Sequence, residues 1–250
     1  GMAFYALASD TNTVTQSRIV SPLSAVRMVT GSDYNTISLS TMISNGSAGF
    51  SITACDSNNV TQSYLWGSDY GAYLDNGSDF NVISLSTMVG NTMYGLYVVG
   101  ADSNTVTLSS VTGAARGIWL DAGSDYNTIS LSTVSSANYG FYFSNADWNS
   151  VTQTYSQGGG YGGRIDTGSH HNTISLSTMI GGSQYGFVAQ DTDSNTVTQS
   201  YMSGANYGAY LAVDADYNTV SLSTMIGIGQ NGLYAAAADY NTVTRSYLRG

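Results

Sequence analysis

The sequence contains neither lysine nor glutamate. All six of its basic residues are arginine and all sixteen acidic ones are aspartate, giving a formal net charge of −10 over 250 residues. Long amphipathic helices and coiled coils draw on Lys and Glu for their wet face, so that class is excluded. Cysteine and proline each occur once, and Cys55 cannot form an internal disulfide. No run of about 18 apolar residues is present to span a membrane. A pI near 4.1 without any basic cluster excludes nucleic acid and anionic membrane surfaces as partners. What the chain has in excess is glycine (29) and tyrosine (20), and the question is where they fall.

They fall in a repeat. The segment Asn-Thr-Val/Ile-Ser/Thr-x-Ser returns with its leading residue at Asn12, Asn35, Asn58, Asn81, Asn104, Asn127, Asn149, Asn172, Asn195, Asn218 and Asn241. Nine of the ten intervals are 23 residues and the one from Asn127 to Asn149 is 22. Ser stands five residues after every ladder Asn except Asn149, which has Thr154. A second period of two coils lies on top of the first. Coils starting at Asn35, Asn81, Asn127, Asn172 and Asn218 read Ile/Val-Ser-Leu-Ser-Thr, and most others read Val-Thr-Gln-Ser/Thr-Tyr. Short stretches such as Thr-Val-Thr alternate polar with apolar at period two, and no 3.6-residue spacing is present. A unit of this length accommodates three short strands and three turns, one coil of a parallel β-solenoid stacked at roughly 4.8 Å.

In phrases such as Tyr126-Asn127-Thr128-Ile129-Ser130-Leu131-Ser132 the chain resembles the right-handed parallel β-helix of the pectate-lyase-like kind. Its style is that of the Asn-rich repeats of bacterial surface and periplasmic proteins. The resemblance covers residues 3–250 as a single domain of ten to eleven coils, all-β, with three strands per coil. It implies a fold that hosts lyases, hydrolases, adhesins and inert spacers, and it implies a cell-surface or extracellular location.

Stacked Asn and Ser side chains at a turn satisfy backbone groups that a solenoid corner strands. The file Met42, Leu65, Met88, Val111, Val134, Met179, Met202, Met225 and Leu248 fills the core; thioethers also suit copper, but core filling is the simpler role. Two residues before the ladder Asn stands a row of acids: Asp10, Asp33, Asp56, Asp79, Asp102, Asp125, Asp147, Asp193, Asp216 and Asp239, with His170 in the remaining place. Capping of the turn is the first expectation for this row. Like charges one rung apart repel by roughly 0.9 kcal/mol even in water, so a row of weak cation sites, Ca²⁺ for instance, is the alternative. His170 and His171 form an Asp/His cluster with their neighbours, able to serve as a metal site or a pH-sensitive clip, or else a solvated pair.

A recurrent Tyr-Gly opens another strand. Its outward position two residues after the glycine holds Tyr73, Tyr97, Trp119, Tyr142, Arg164, Tyr210 and Tyr234, with Ser51 and Val188 as exceptions. A second ring series precedes the glycines, including Tyr70, Tyr94, Tyr139, Tyr161, Tyr185 and Tyr207. Exposed rings in line stack on sugars or on protein, so these residues are the expected contact face for glycan or another protein. On the same strand Asp75, Asp121 and Asp166 recur near Arg116 and Arg164, a set suited to acid/base work on an acidic glycan. The Asp-Asp and Gly-His-Gly signatures of polygalacturonase-like hydrolases and the Asp-His and Arg-rich signatures of pectate lyases are missing. Near-constant coil length also leaves no long loops for a cleft. The outward Thr-x-Thr/Ser rows, such as Thr105/Thr107 and Thr196/Thr198, resemble the face of ice-binding solenoids, interrupted by Ser at alternate rungs.

The sequence therefore leads to the expectation of a non-enzymatic, adhesin-like or spacer segment without a cofactor, with a polysaccharide lyase or hydrolase and an ice-binding solenoid as alternatives. Gly1-Met2 reads as an expression scar. The degenerate first coil and the final Tyr247-Leu248-Arg249-Gly250 suggest a segment of a longer repeat protein whose ends self-associate.

Overall fold

The computed structural model describes all residues 1–250. Its 33 strands form three parallel sheets of eleven strands each, every strand pairing with the third one along the chain. One sheet carries the tyrosines, in strands such as Tyr70–Asp75, Tyr94–Val99, Arg116–Asp121, Tyr139–Ser144 and Tyr161–Asp166. A second, the threonine sheet, is built of three-residue strands such as Thr36–Ser38 and Thr105–Thr107. The third, the methionine sheet, contains Thr41–Ser44, Thr87–Gly90 and Thr178–Gly181. No helix is present that is long and apolar enough to cross a membrane.

The three inner faces share one core of 41 buried residues. Ile37, Val60, Ile83, Val106 and Ile129 come from the threonine sheet, and Met42, Leu65, Met88, Val111, Val134, Met179, Met202 and Met225 from the methionine sheet. Phe50, Leu74, Leu96, Ile118, Phe141 and Phe187 come from the tyrosine sheet. Each file is a single residue position copied coil by coil, so one side-chain choice is tested eleven times over. The recurrent glycine of the tyrosine sheet has a steric reason. A Cβ on Gly71 would stand 2.5 Å from the Val89 nitrogen and the Gly95 oxygen, because the methionine sheet passes directly beneath.

Two corners bracket the threonine sheet, and both turn on a single left-handed residue. The residue before each ladder Asn has φ between 55 and 59°, and the residue four after it has φ between 48 and 51°. Such a residue bends the chain without interrupting the ladder: Tyr34 N–H still donates to Asp56 O at 3.1 Å and Leu39 N–H to Thr61 O at 3.2 Å. The left-handed conformation costs a residue with a Cβ roughly 1–2 kcal/mol, and the side-chain ladders offset it.

In the asparagine ladder, Asn127 N–H donates to Asn149 Oδ1 at 2.7 Å while Asn127 Oδ1 accepts from Asn104 N–H at 2.9 Å. Its amide nitrogen donates to Ala101 O at 3.0 Å and Asp125 O at 3.2 Å. The 22-residue interval leaves this register intact, because the missing residue comes from the corner after the tyrosine sheet. There the left-handed pair Ala122-Gly123 is replaced by Asn145 alone. A serine ladder runs alongside: Ser86 N–H donates to Ser109 Oγ at 3.2 Å, and Ser109 Oγ–H to Thr107 O at 2.8 Å.

The aspartate row runs the opposite way. Each Oδ1 accepts the backbone N–H of the aspartate one coil further on, as with Asp102 N–H to Asp79 at 2.7 Å and Asp125 N–H to Asp102 at 2.8 Å. His170 enters this file as a substitute acceptor. Its N–H donates to Asp147 Oδ1 at 2.6 Å, and its Nδ1 accepts from Asp193 N–H at 2.9 Å. Burial pushes the Asp125 carboxyl above its ordinary value; the Asp147 N–H partly opposes this, and the charges of Asp102 and Asp147 add to it.

Two substitutions measure these ladders. Asn127→Ala leaves the Asn104 amide and the Ala101 carbonyl buried without partners and is expected to cost roughly 2–4 kcal/mol in chemical denaturation. Asp125→Asn keeps the acceptor and removes the charge. Because the folded-state pKa of Asp125 is raised, the carboxylate opposes folding above that pKa and ceases to do so once protonated. The variant's melting midpoint is therefore expected to rise at neutral pH and low salt, and the gain to vanish in acid and in high salt.

Candidate functional site

The outward face of the tyrosine sheet gathers most of the chain's tyrosines and half of its arginines. Where both positions carry rings, the one before the glycine and the one two residues after it lie on the same outward face, as with Tyr70 and Tyr73. Strand pairing then places Tyr73, Tyr97, Trp119, Tyr142 and Arg164 in one register file. The two ring series interleave into a double file. Tyr73 and Tyr97 stack at 5.3 Å with planes 10° apart, Tyr97 and Trp119 at 4.7 Å, and Tyr139 and Tyr161 at 4.7 Å and 9°. A second stretch joins Tyr185, Tyr207, Tyr210 and Tyr234, with Tyr207 and Tyr234 at 4.9 Å. The expected row of fully exposed rings is thus a half-buried one, because each ring covers its neighbour. Val188 and Ser51, the exceptions in sequence, are buried and interrupt the file.

Charge is inserted into the first stretch at defined points. Arg116 lies over Trp119 at 4.0 Å and Tyr142 at 4.6 Å, and its Nη1 donates to the Tyr94 hydroxyl at 3.1 Å. It has no carboxylate partner, and its buried Nε and the nearby Trp119 Nε1 have no hydrogen-bond acceptor. One strand pair further on, Arg164 donates from Nε and Nη2 to Asp166 Oδ2 at 2.8 and 2.6 Å, the single salt bridge of the chain, and from Nη2 to Gln190 at 3.0 Å. Tyr142 donates its hydroxyl to Asp166 and Tyr97 to Asp121, each at 3.2 Å. Burial, reinforced by Asp75, pushes the Tyr73 phenol up to about 12. Burial with Asp121 raises Tyr97, and burial with Asp166 raises Tyr142. These hydroxyls stay protonated and act as donors, so the carboxylates are the acceptors at this face. Asp121 and Asp166 share a file with Ser144 between them. Their two-rung separation is roughly 9.6 Å.

The remaining sequence candidates lie elsewhere. The rows Asp33, Asp56, Asp79, Asp102, Asp125, Asp147, Asp193 and Asp216 and Asn12 to Asn241 flank the threonine sheet, on another edge of the rod. Each Asp gives one oxygen to a backbone amide, and no three His, Cys, Asp or Glu side chains converge anywhere. His171 stacks on Trp148 at 4.2 Å instead of joining His170 around a common point.

Two ridges went unread in the sequence. The first left-handed corner carries exposed Tyr34, Phe80, Tyr126, Trp148, Tyr217 and Tyr240, and the second carries exposed Leu39, Leu85, Leu108, Leu131, Leu176 and Leu222. The two-coil alternation of Leu with Gln was the available signal. Arg27 and Gln190, which extend the charged part of the tyrosine sheet, carried no repeat signal at all.

Comparison with solved structures finds the same architecture in several other proteins. The A-module of the Azotobacter vinelandii mannuronan C-5 epimerase AlgE6 superposes with a TM-score of 0.64 at 12% identity, over 90% of this chain and 69% of that one. A lidless DFA-IIIase from Arthrobacter chlorophenolicus A6, in complex with GF2, gives 0.59 at 12% over 88% and 66%. The Dettilon tailspike protein gives 0.50 at 11% over 96% and 61%. These likenesses establish the fold, and two of the three are enzymes. They overturn the expectation of a non-enzymatic segment, whose weak point was the demand for long loops. Here carboxylates, arginines and rings converge on strands, without a loop to hold them. No curated protein sequence matches the chain.

Two family models do match: one described as the periplasmic copper-binding protein NosD over residues 1–155, and one described as a right-handed β-helix region over residues 109–248. The side chains here do not fit a copper site. The methionine file is wholly buried among core hydrophobics, and burial pushes the Cys55 thiol up, away from the thiolate a metal needs. His170 spends its Nδ1 on the Asp193 amide. The shared character is architectural, and on that ground the chain is a member of the right-handed β-helix and NosD families.

Proposed function

We propose that the chain is a polysaccharide-acting enzyme of the periplasm or cell exterior, and that it takes an acidic glycan along the tyrosine sheet. Arg116 carries this reading. In a chain of net charge −10, a guanidinium held between Trp119 and Tyr142 with no carboxylate partner and an unused buried N–H is a receptor for an anionic group. The rings around it stack on sugar faces. Asp121 and Asp166 stand at the far ends of these strands, two rungs apart with Ser144 between them, a rung spacing of roughly 9.6 Å, close to the range that leaves room for a water in inverting glycoside hydrolysis. Asp166, paired with Arg164, is the base toward water. Asp121, which accepts from the Tyr97 hydroxyl and the Ala122 N–H, is the second carboxyl of the pair, on the side of the leaving oxygen.

Incubation with a panel of uronate-containing and neutral polysaccharides tests this, with new reducing ends as the readout. Cleavage of an acidic member is expected, lowered at least about 100-fold in Asp121→Asn and Asp166→Asn. Arg116→Gln is expected to raise KM on the acidic substrate with its melting midpoint little changed. Unaltered substrates across the panel, or full activity in Asp121→Asn, would overturn the assignment. An unsaturated, ultraviolet-absorbing product would replace hydrolysis with elimination.

A further inference from the structure

The threonine sheet presents a second face, unrelated to the tyrosine sheet. Four coils carry a ring at the first corner and a leucine at the second: Tyr34 with Leu39, Phe80 with Leu85, Tyr126 with Leu131 and Tyr217 with Leu222. The rings are 58–65% exposed and the leucines 48–53%. All eight residues are left-handed, a conformation that favours glycine or asparagine over bulky side chains. The intervening coils show that nothing in the fold asks for apolar residues here. The same corners hold Ser57 with Gln62 and Ser194 with Gln199 at nearly the same φ. Large apolar groups at a costly backbone position, exposed and in phase, point to contact with another surface.

The character of the face selects the partner. Between the ridges one of the two hydroxyl files is paired: Ser38 donates to Thr15, Ser84 to Thr61, Ser130 to Thr107, Ser175 to Thr152 and Ser221 to Thr198, all at 2.9–3.0 Å. Neighbouring ridge rings lie nearly parallel, Tyr126 with Trp148 at 8° and Tyr217 with Tyr240 at 8°. Stacked along the rod, they turn edges outward and provide no platform for a pyranose. The face is up to about 16 Å wide and about 50 Å long, roughly 800 Å², which is one partner's share of a standard protein interface.

We propose that this face joins two copies of the chain, packed threonine sheet to threonine sheet about a twofold axis parallel to the rod. That axis lays each ring ridge on the other copy's leucine ridge, so a self-complementary contact closes after two copies. It also answers the charge problem. The aspartate row adjoins only the ring ridge, so the two acidic stripes fall on opposite edges of the interface. They are then about 16 Å apart or more, beyond a Debye length of about 10 Å. The other twofold, perpendicular to the rod in the plane of the interface, would bring the stripes together.

Sedimentation velocity over a range of concentrations tests the proposal. The chain is expected to sediment as a dimer. A variant with Tyr34, Phe80 and Tyr126 changed to Ser and Leu39, Leu85 and Leu131 changed to Gln is expected to raise the dissociation constant at least about 100-fold. These residues occupy equivalent corners naturally, and an unchanged circular dichroism spectrum verifies that the rod still forms. Orientation is read by cross-linking: Phe80→Cys and Leu85→Cys variants are expected to link when mixed, and neither to link alone. A monomer at every concentration, a dimer that survives the sixfold change, or association abolished only by Val243→Lys in the last coil would overturn the proposal. Self-linking of Phe80→Cys would overturn the orientation, and loss of glycan binding in the sixfold variant would reassign the face to sugar.

Discussion

The hydrogen bond from one coil to the next is the constraint on which everything else in this molecule depends. Three short strands per turn leave little backbone pairing in each strand and many corner groups at risk of burial without partners. The corners are solved by single left-handed residues that keep the amide ladder running. Asparagine, serine and aspartate side chains then take up what the backbone cannot reach. Because each rung must align three such ladders with the rungs above and below, side-chain positions become files. A file then has one environment, one chemistry and one spacing.

This is why so much of the fold was legible in the sequence. A residue such as Asn127 is bound to both neighbours, so its phase cannot drift, and the phase alone identifies the core rows and the three sheets. The places that stayed hidden are those where the environment depends on contact between files. Val188 was known as an exception to the ring row, but not that it is buried. Tyr97 was placed on the outward face, but its stacking on Trp119 and its hydrogen bond to Asp121 depend on rotamers. The left-handed corners were invisible because Tyr34 and Leu39 are poor markers of that conformation. Constant coil length says nothing of Asp121 and Asp166, because these carboxylates rise from strands and need no loop to hold them.

Electrostatically the rod has two unlike sides. One edge holds most of the negative charge, evenly spaced and bound into the backbone. The tyrosine sheet holds an exposed Arg27, and Arg116 and Arg164 among rings that partly cover them.

The direction of the ladder bonds also bears on how the rod yields to load. They run along its length, with strands lying crosswise, so tension applied at one end opens them as a zipper instead of shearing them together. Each coil that comes free turns roughly 5 Å of rod into roughly 75 Å of extended chain. Under pull the molecule would lengthen in equal steps, one coil at a time, while the coils still stacked keep their faces intact.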